Sequence, residues 1–174
     1  TMAQQHRWND VLPRAVAAQL QHEGQWWAAP LSVHSINWMW VNLEVAQQLG
    51  ITHPPDTWKD FVPMLQRAQR AGIVPIAVGT NAWEQALLFE LIASGYLGAE
   101  RFRWLFFAGQ HAQFRVADLE PVFERWQQLQ PFLTANAPQS QWLHATYQVA
   151  SGKALLQVAG NWVEGHLRQA QQSA

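Results

Sequence analysis

The chain has 174 residues and a formal net charge of −1, which allows one domain with a substantial core. Only 13% of its residues are charged and no basic run occurs, so neither nucleic acid nor an anionic membrane is an expected partner. It has no cysteine, and its seven histidines never fall at a metal-ligand spacing, so we expect no disulfide, thiol catalysis, bound metal or other cofactor.

Turn residues and hydrophobic periodicity divide the chain into alternating strands and helices. Four of the helices are predicted to begin after a capping residue: Thr57, Asn81, Asp118 and Ser140. The strands are predicted over residues 38–41, 73–78 and 154–159. The helices are predicted over residues 11–18, 43–49, 58–70, 82–92, 98–107, 119–129 and 141–150, and from residue 162 onward. Because the helices outnumber the strands and separate them, we expect an α/β fold with a small sheet flanked by several helices.

Three apolar, strand-like runs each lead into a short polar segment that carries tryptophan. The runs end at residues 33, 78 and 159. If they are neighbouring parallel strands, all three polar segments lie on one edge of one sheet, where open α/β sheets bind ligands. An indole ring beside amide, imidazole and carboxylate groups can hold a sugar, because the ring covers its C–H face while the polar groups bond its hydroxyls.

The candidate ligand-binding residues lie in these segments and at the start of one later helix. Those able to stack on a sugar or to bond its hydroxyls are Trp83, Glu84, Asn161, Trp162, Trp142, His34 and Asn37. Each also has a structural interpretation. Tryptophan is often core, asparagine often caps a helix, and a single histidine in a loop is more often a structural hydrogen-bonding group. Three such junctions on one edge favour the functional interpretation.

Glu84 and Glu164 are placed alike after two of the runs, which raises the possibility of catalysis. Two carboxylates across a sugar-sized cleft are the glycosidase arrangement. However, the helix dipole alone favours an acidic residue in the first turn of a helix, and no other nucleophile–base arrangement can be assembled from the sequence. We therefore expect a binding protein that is not an enzyme, with a fragment of a carbohydrate-active enzyme as the alternative.

Six motifs occur in a fixed order along nearly the whole chain. They are P-x-x-x-H-x-x-N-W-x-W-x-N over residues 30–42, P-x-T-W-x-x-F over 55–61, A-G-I-x-P-x-A-x-G over 71–79 with Trp83 after it, W-x-x-A-T over 142–146, G-K-A over 152–154 and G-N-W-x-x-G over 160–165. Together they resemble the sugar-binding proteins of bacterial ABC transporters, and in particular the glucose/mannose-binding branch. The resemblance implies sugar contact at Trp83 and at the Gly160-Asn161-Trp162 turn.

This resemblance implies a receptor of the periplasmic-binding-protein type II fold, in which two α/β lobes close on a sugar. Residues 1–174 are expected to form a single lobe, the C-terminal one, with the N-terminal lobe and the C-terminal return segment absent from the chain. The expected partners are a small sugar, that missing lobe and an ABC-transporter permease. The expected location is the periplasm, although no signal peptide opens the sequence.

Two departures from the family pattern leave the sugar open. The family usually has Gln after the first tryptophan, where this chain has Glu84, and Asp in the last turn, where this chain has Asn161. Asn offers one donor and one neutral acceptor, whereas Asp accepts two bonds as an anion. Eleven tryptophans among 49% apolar residues also predict surplus apolar surface, so a homodimer formed through that surface is a further alternative.

Overall fold

The computed structural model describes residues 1–109, 114–134 and 141–172, and of residues 170–172 only the backbone. Two compact units are distinguished, Thr1–His34 and Ser35–Ala174. Whether both belong to one lobe, as expected from the sequence, stays a prediction.

The amino-terminal unit is a group of short helices followed by a hairpin. Its elements are α1 (Met2–Gln5), α2 (Trp8–Val11), α3 (Arg14–Leu20), β1 (Gln21–His22) and β2 (Gln25–Trp26). The helix predicted around residues 11–18 corresponds to α3, which begins later, at Arg14, because Leu12 adopts an extended conformation before Pro13. The turn between β1 and β2 has Glu23 and Gly24 at its centre, and both have positive φ, as a tight two-residue hairpin requires.

The larger unit contains the remaining helices and a three-stranded sheet. Its elements are β3 (Trp38–Val41), α4 (Leu43–Gln48), α5 (Trp58–Arg70), β4 (Val74–Ala77), α6 (Ala82–Phe106), α7 (Val116–Leu129), a 3-10 turn (Gln130–Phe132), α8 (Trp142–Ala150), β5 (Ala154–Ala159) and α9 (Trp162–Gln172). The strand order is β3-β5-β4. The α/β class with a small sheet among helices is therefore confirmed.

Of the three runs considered as parallel strands, two form strands, β4 and β5, and these are parallel as expected. The strand β3, for which no direction was predicted, is antiparallel to β5, with Trp38 opposite Ala159. The run that ends at Val33 forms no strand, because Pro30 lacks a ladder donor and the side chain of Leu31 is fully exposed. Antiparallel pairing places the start of β3 beside the end of β5, so the segment before Trp38 still reaches the expected edge.

The two faces of the sheet carry different side chains. On one face Ile76, Leu156 and Val158 join a core built with α5, α6 and α7. On the other face Ala77 packs with Ala145 and other residues of α8. β5 is buried along its whole length, as its nearly continuous apolar sequence predicts for a central strand.

The long helix α6 contains a break that the sequence predicted. Gly98 has φ 75° and ψ 164°, so the segment consists of one helix up to residue 97 and a shorter one after it. Only glycine adopts this conformation without strain. Among the described residues, no helix combines the length and the hydropathy that crossing a membrane would require.

The predicted helix caps have mixed outcomes. Thr57 is confirmed, because its side chain accepts a hydrogen bond from the backbone N–H of Asp60. Asn81 precedes α6, but its side chain does not cap the helix and donates to Glu84 instead. Ser140 lies outside the described residues.

Asp118 is also not the capping residue, because α7 begins two residues earlier, at Val116. Its Oδ2 accepts a bond from the backbone N–H of Arg115 at 2.9 Å, and Arg115 Nε lies 3.5 Å away. These contacts, with the backbone bond first, hold the pKa of the Asp118 carboxyl below its ordinary value.

Candidate functional site

The turn after β4 is organised around a buried carboxylate. Glu84 is only 4% exposed, and its Oε2 accepts a bond from the Gly79 backbone N–H at 2.8 Å. Its Oε1 accepts a bond from Asn81 Nδ2, also at 2.8 Å. A Cβ at Gly79 would overlap with this carboxylate, so the turn requires glycine there. Trp83 precedes Glu84 and is 42% exposed.

The turn after β5 is organised around an indole ring. A Cβ at Gly160 would overlap with the six-membered ring of Trp162, so this ring lies directly over the Gly160 backbone. The Gly160 carbonyl accepts a bond from Trp40 Nε1 at 3.3 Å. The Asn161 backbone N–H donates to the carbonyl of Ser35 at 2.9 Å, which ties the turn to the segment before β3.

Three tryptophans from three helices meet at this edge of the sheet. The ring centroids of Trp83 and Trp162 are 6.0 Å apart, and those of Trp142 and Trp162 are 6.2 Å apart, both in edge-to-face arrangements. We call Trp83, Trp142 and Trp162 the tryptophan cluster. The structure therefore brings together the three stacking candidates of the sequence, with Trp162 in the middle.

Trp142 is positioned by two polar residues that the sequence interpretation missed. Gln157 is 1% exposed in the centre of β5, and its Nε2 donates to the Trp142 carbonyl at 2.9 Å. The buried Thr146 hydroxyl donates to Gln157 Oε1 at 2.9 Å. The available signal was a glutamine inside an otherwise apolar strand, which must find partners when buried.

Asn37 and His34, the remaining candidates from the sequence, are both exposed. Asn37 is exposed just before β3, and its side chain makes no hydrogen bond to any described residue. His34 is the last residue of the amino-terminal unit and is exposed. The structure thus joins Asn161 and the tryptophan cluster at one edge, and Asn37 lies in the segment between Ser35 and Trp38 that reaches this edge.

The profile of the family described as bacterial extracellular solute-binding protein matches residues 2–171. The chain belongs to this family. It is 32% identical to a probable sugar-binding periplasmic protein of Mesorhizobium japonicum over 98% of this chain and 41% of the relative. It is 30% identical to a protein of the same description from Rhizobium meliloti, over 97% of this chain and 40% of the relative. The chain thus spans about two fifths of these solute-binding proteins, and the resemblance inferred from its motifs is confirmed.

Solved structures of solute receptors share the fold. A chitin oligosaccharide binding protein aligns with a TM-score of 0.71 at 17% identity, over 86% of this chain and 38% of that one. The bacterial solute receptor AcbH, described as having an exclusive preference for β-D-galactopyranose, aligns with a TM-score of 0.69 at 19% identity, over 85% of this chain and 37% of that one. At these identities the alignments establish the solute-binding protein fold and nothing about the ligand.

The two glutamates of this solute-binding protein differ in their surroundings. Glu84 is buried and each of its oxygens accepts a bond. Glu164 is exposed on α9, where its Oε1 accepts bonds from Arg168 Nη2 at 2.6 Å and Arg168 Nε at 2.9 Å. The Glu84 carboxylate is thus enclosed by its own turn, whereas the Glu164 carboxylate is paired at the surface.

A separate groove lies on the opposite face of the sheet. Its volume is about 560 Å³ and its lining is mostly apolar, including Met39 and Val158. These two residues pair across β3 and β5, so they point away from the face that carries Gln157. The Arg125 guanidinium stands over the Tyr96 ring, 4.5 Å from its centroid, among the residues that line this groove. The groove is therefore distinct from the tryptophan cluster.

Proposed function

We propose that this chain is the carbohydrate-binding lobe of a periplasmic solute-binding protein that delivers a mono- or oligosaccharide to an ABC-transporter permease. The observation that carries the proposal is the tryptophan cluster, in which three indoles from separate helices converge where β4 and β5 end. The curated relatives are described as probable sugar-binding periplasmic proteins, which supports the ligand class and the location.

Within this proposal the residues of the edge have different tasks. Trp83 is the main stacking surface, because it is the most exposed ring of the cluster and its edge-to-face contact with Trp162 restricts its movement. The Asn161 side-chain amide gives one bond and accepts one bond from neighbouring sugar hydroxyls. Asn37 and His34 are proposed as outer polar contacts, on the strength of the motif that contains them.

For Glu84 we propose a supporting task instead of direct sugar contact. Its carboxylate is buried and holds the turn before Trp83 by bonding Gly79 and Asn81. The same burial argues against the glycosidase alternative, because an acid–base carboxylate must reach the scissile bond. We therefore propose that the chain is not an enzyme.

We further propose that a second lobe supplies the opposite wall of the site. The chain spans about two fifths of its relatives, and a single wall covers only one side of a sugar. Closure of two lobes adds contacts and excludes water, so this chain by itself should bind sugars weakly. A homodimer is a second proposal, supported by the exposed Met39 and Val41 of the edge strand β3.

Calorimetric titration of the 174-residue chain with glucose, mannose and galactose tests the sugar-binding proposal. We expect weak binding of at least one of them, and about tenfold weaker binding by Trp83→Ala because the stacking surface is lost. Phe107→Ala is the matched control, since Phe107 is an exposed aromatic residue at the far end of α6.

Failure of all three sugars to bind, or unchanged affinity in Trp83→Ala, would contradict the proposal. Submicromolar binding of a sugar by a monomer would contradict the proposal that this chain supplies only one wall of the site. Light scattering across a dilution series accompanies the titration. A strict monomer at every concentration would count against the homodimer.

A further inference from the structure

Two more tryptophans lie on β3, next to the candidate site but outside the residues assigned to it. Trp38 and Trp40 are two residues apart on a strand, so both point to the same face of the sheet. Their rings stack with centroids 5.6 Å apart and planes 20° apart. Because Trp40 pairs with Gln157, this is the face to which Gln157 ties the start of α8 and hence Trp142.

The Trp38–Trp40 stack is joined to the tryptophan cluster through Gly160. Trp40 Nε1 donates to the Gly160 carbonyl, and the Trp162 ring lies over the same glycine. Trp38 pairs with Ala159, the residue directly before Gly160. The aromatic surface therefore continues from the helix starts of the cluster onto the edge strand.

The exposed ends of this surface are two separate rings. Trp83 is 42% exposed and makes an edge-to-face contact with Trp162, whereas Trp38 is 46% exposed and stacks on Trp40. Each exposed ring thus packs against a second indole. This contact restricts the exposed side chain before binding, so less conformational entropy is lost when a ligand stacks on it. A pyranose stacks one C–H face on one indole, so two exposed rings offer stacking surface for two sugar rings.

We propose that Trp38 is a second sugar-stacking surface, so that the site takes an oligosaccharide of at least two rings instead of a monosaccharide alone. The proposal rests on the sugar-binding function proposed above and names the ligand class for the same site. Trp40 acts behind it as a positioning residue, because its Nε1–H bond to Gly160 and its stacking contact hold Trp38 in place.

Pure core packing does not explain Trp38. A core tryptophan is buried, and an exposed edge strand usually carries charges or proline, whereas β3 reads Trp-Met-Trp-Val. Large exposed aromatic rings on such a strand indicate a surface that binds a ligand or another protein. Self-association through β3 is the competing occupant, and the experiment below separates it.

The test is calorimetric titration of the chain with glucose and galactose and with the disaccharides cellobiose, maltose and lactose, which differ in the configuration of the linkage and in the sugar at the non-reducing end. We expect one disaccharide to bind about tenfold more tightly than its monosaccharide. Trp38→Ala should abolish this gain, so that disaccharide and monosaccharide bind about equally, whereas Trp83→Ala should weaken both kinds of ligand. Trp38→Phe should keep part of the gain. It replaces Trp38→Ala in the test if circular dichroism shows that the alanine variant does not fold.

The outcomes distinguish this inference from the function on which it rests. If no sugar binds, the proposed function fails and this inference fails with it. If monosaccharides bind but no disaccharide binds more tightly, or if Trp38→Ala keeps the gain, only this inference is overturned. It is also overturned if Trp38→Ala converts a dimer to a monomer without changing the ratio of disaccharide to monosaccharide affinity.

Discussion

The turns after β4 and β5 contain the same kinds of residue, yet they use them in opposite ways. Each has a buried glycine, an asparagine, a tryptophan and a glutamate. After β4 it is the Glu84 carboxylate that folds back over Gly79, and Trp83 is left exposed. After β5 it is the Trp162 ring that covers Gly160, and Glu164 is left exposed.

The difference follows from the length of the two turns. Both glutamates are the third residue of their helix, but four residues separate β4 from α6 and only two separate β5 from α9. Each turn has an asparagine three residues before its glutamate, but Gly79 lies four residues before Trp83, and there the Asn81 amide bonds Glu84. In the shorter turn Trp162 is itself the first helical residue and lies nearest to the glycine. Similar composition therefore does not imply similar geometry, and the comparison suggests where each turn can be broken.

The largest expected effect comes from Gly79→Ala. The new methyl group would occupy the position of the Glu84 carboxylate, which is buried and cannot swing into solvent without losing its bonds to Gly79 and Asn81. We expect a loss of about 2–3 kcal/mol in the free energy of unfolding, measured by urea denaturation. Gly95→Ala is the control, because Gly95 lies within α6 with open space around it and alanine favours helix. Equal stability of the two variants would show that Glu84 does not hold the turn.

A smaller loss is expected from Gly160→Ala. The methyl group meets the Trp162 ring, which is only half-buried and can move aside. We expect a loss of about 1–2 kcal/mol in stability. The near-ultraviolet circular dichroism should also change, because the contacts of Trp162 with Trp83 and Trp142 are disturbed. A spectrum identical to that of the parent chain would argue against the tryptophan cluster as described.

The smallest effects compare the two glutamates directly. Glu84→Gln keeps the shape but turns one acceptor into a donor facing Asn81 Nδ2, so we expect a loss of about 1 kcal/mol. Glu164→Gln removes only an exposed ion pair with Arg168 and should cost less than about 0.5 kcal/mol. Urea denaturation of both variants measures the difference. A larger loss at Glu164 would reverse the assignment of the buried and exposed carboxylates.

Sequence patterns predicted the local features of this fold well. The helix after Thr57, the break at Gly98 and the strand before Gly160 each depend on residues close together in the chain. The direction of β3 could not be inferred in that way, because it depends on pairing with β5 more than a hundred residues later. The aromatic run itself is compatible with either direction.

The candidate site was predicted in part for the same reason. Trp83 and Trp162 stand at helix starts that follow strands, so their shared edge could be inferred from strand order. The burial of Glu84 could not, because it depends on how one turn folds back onto Gly79. The position of Trp142 depends on its hydrogen bond to Gln157. A glutamine in an apolar strand indicates that some partner exists, but no local pattern identifies which residue it is.

The bond from the Asn161 N–H to the Ser35 carbonyl gives the site a mechanical connection. Ser35 belongs to the segment through which the chain enters β3, and Asn161 belongs to the turn that would touch the ligand. A displacement of the chain at Ser35 is therefore coupled to Asn161 through this 2.9 Å bond, in parallel with the Trp40–Gly160 bond and the pairing of β3 with β5. In the proposed site, the position of Asn161 thus depends on how the peptide enters the sheet.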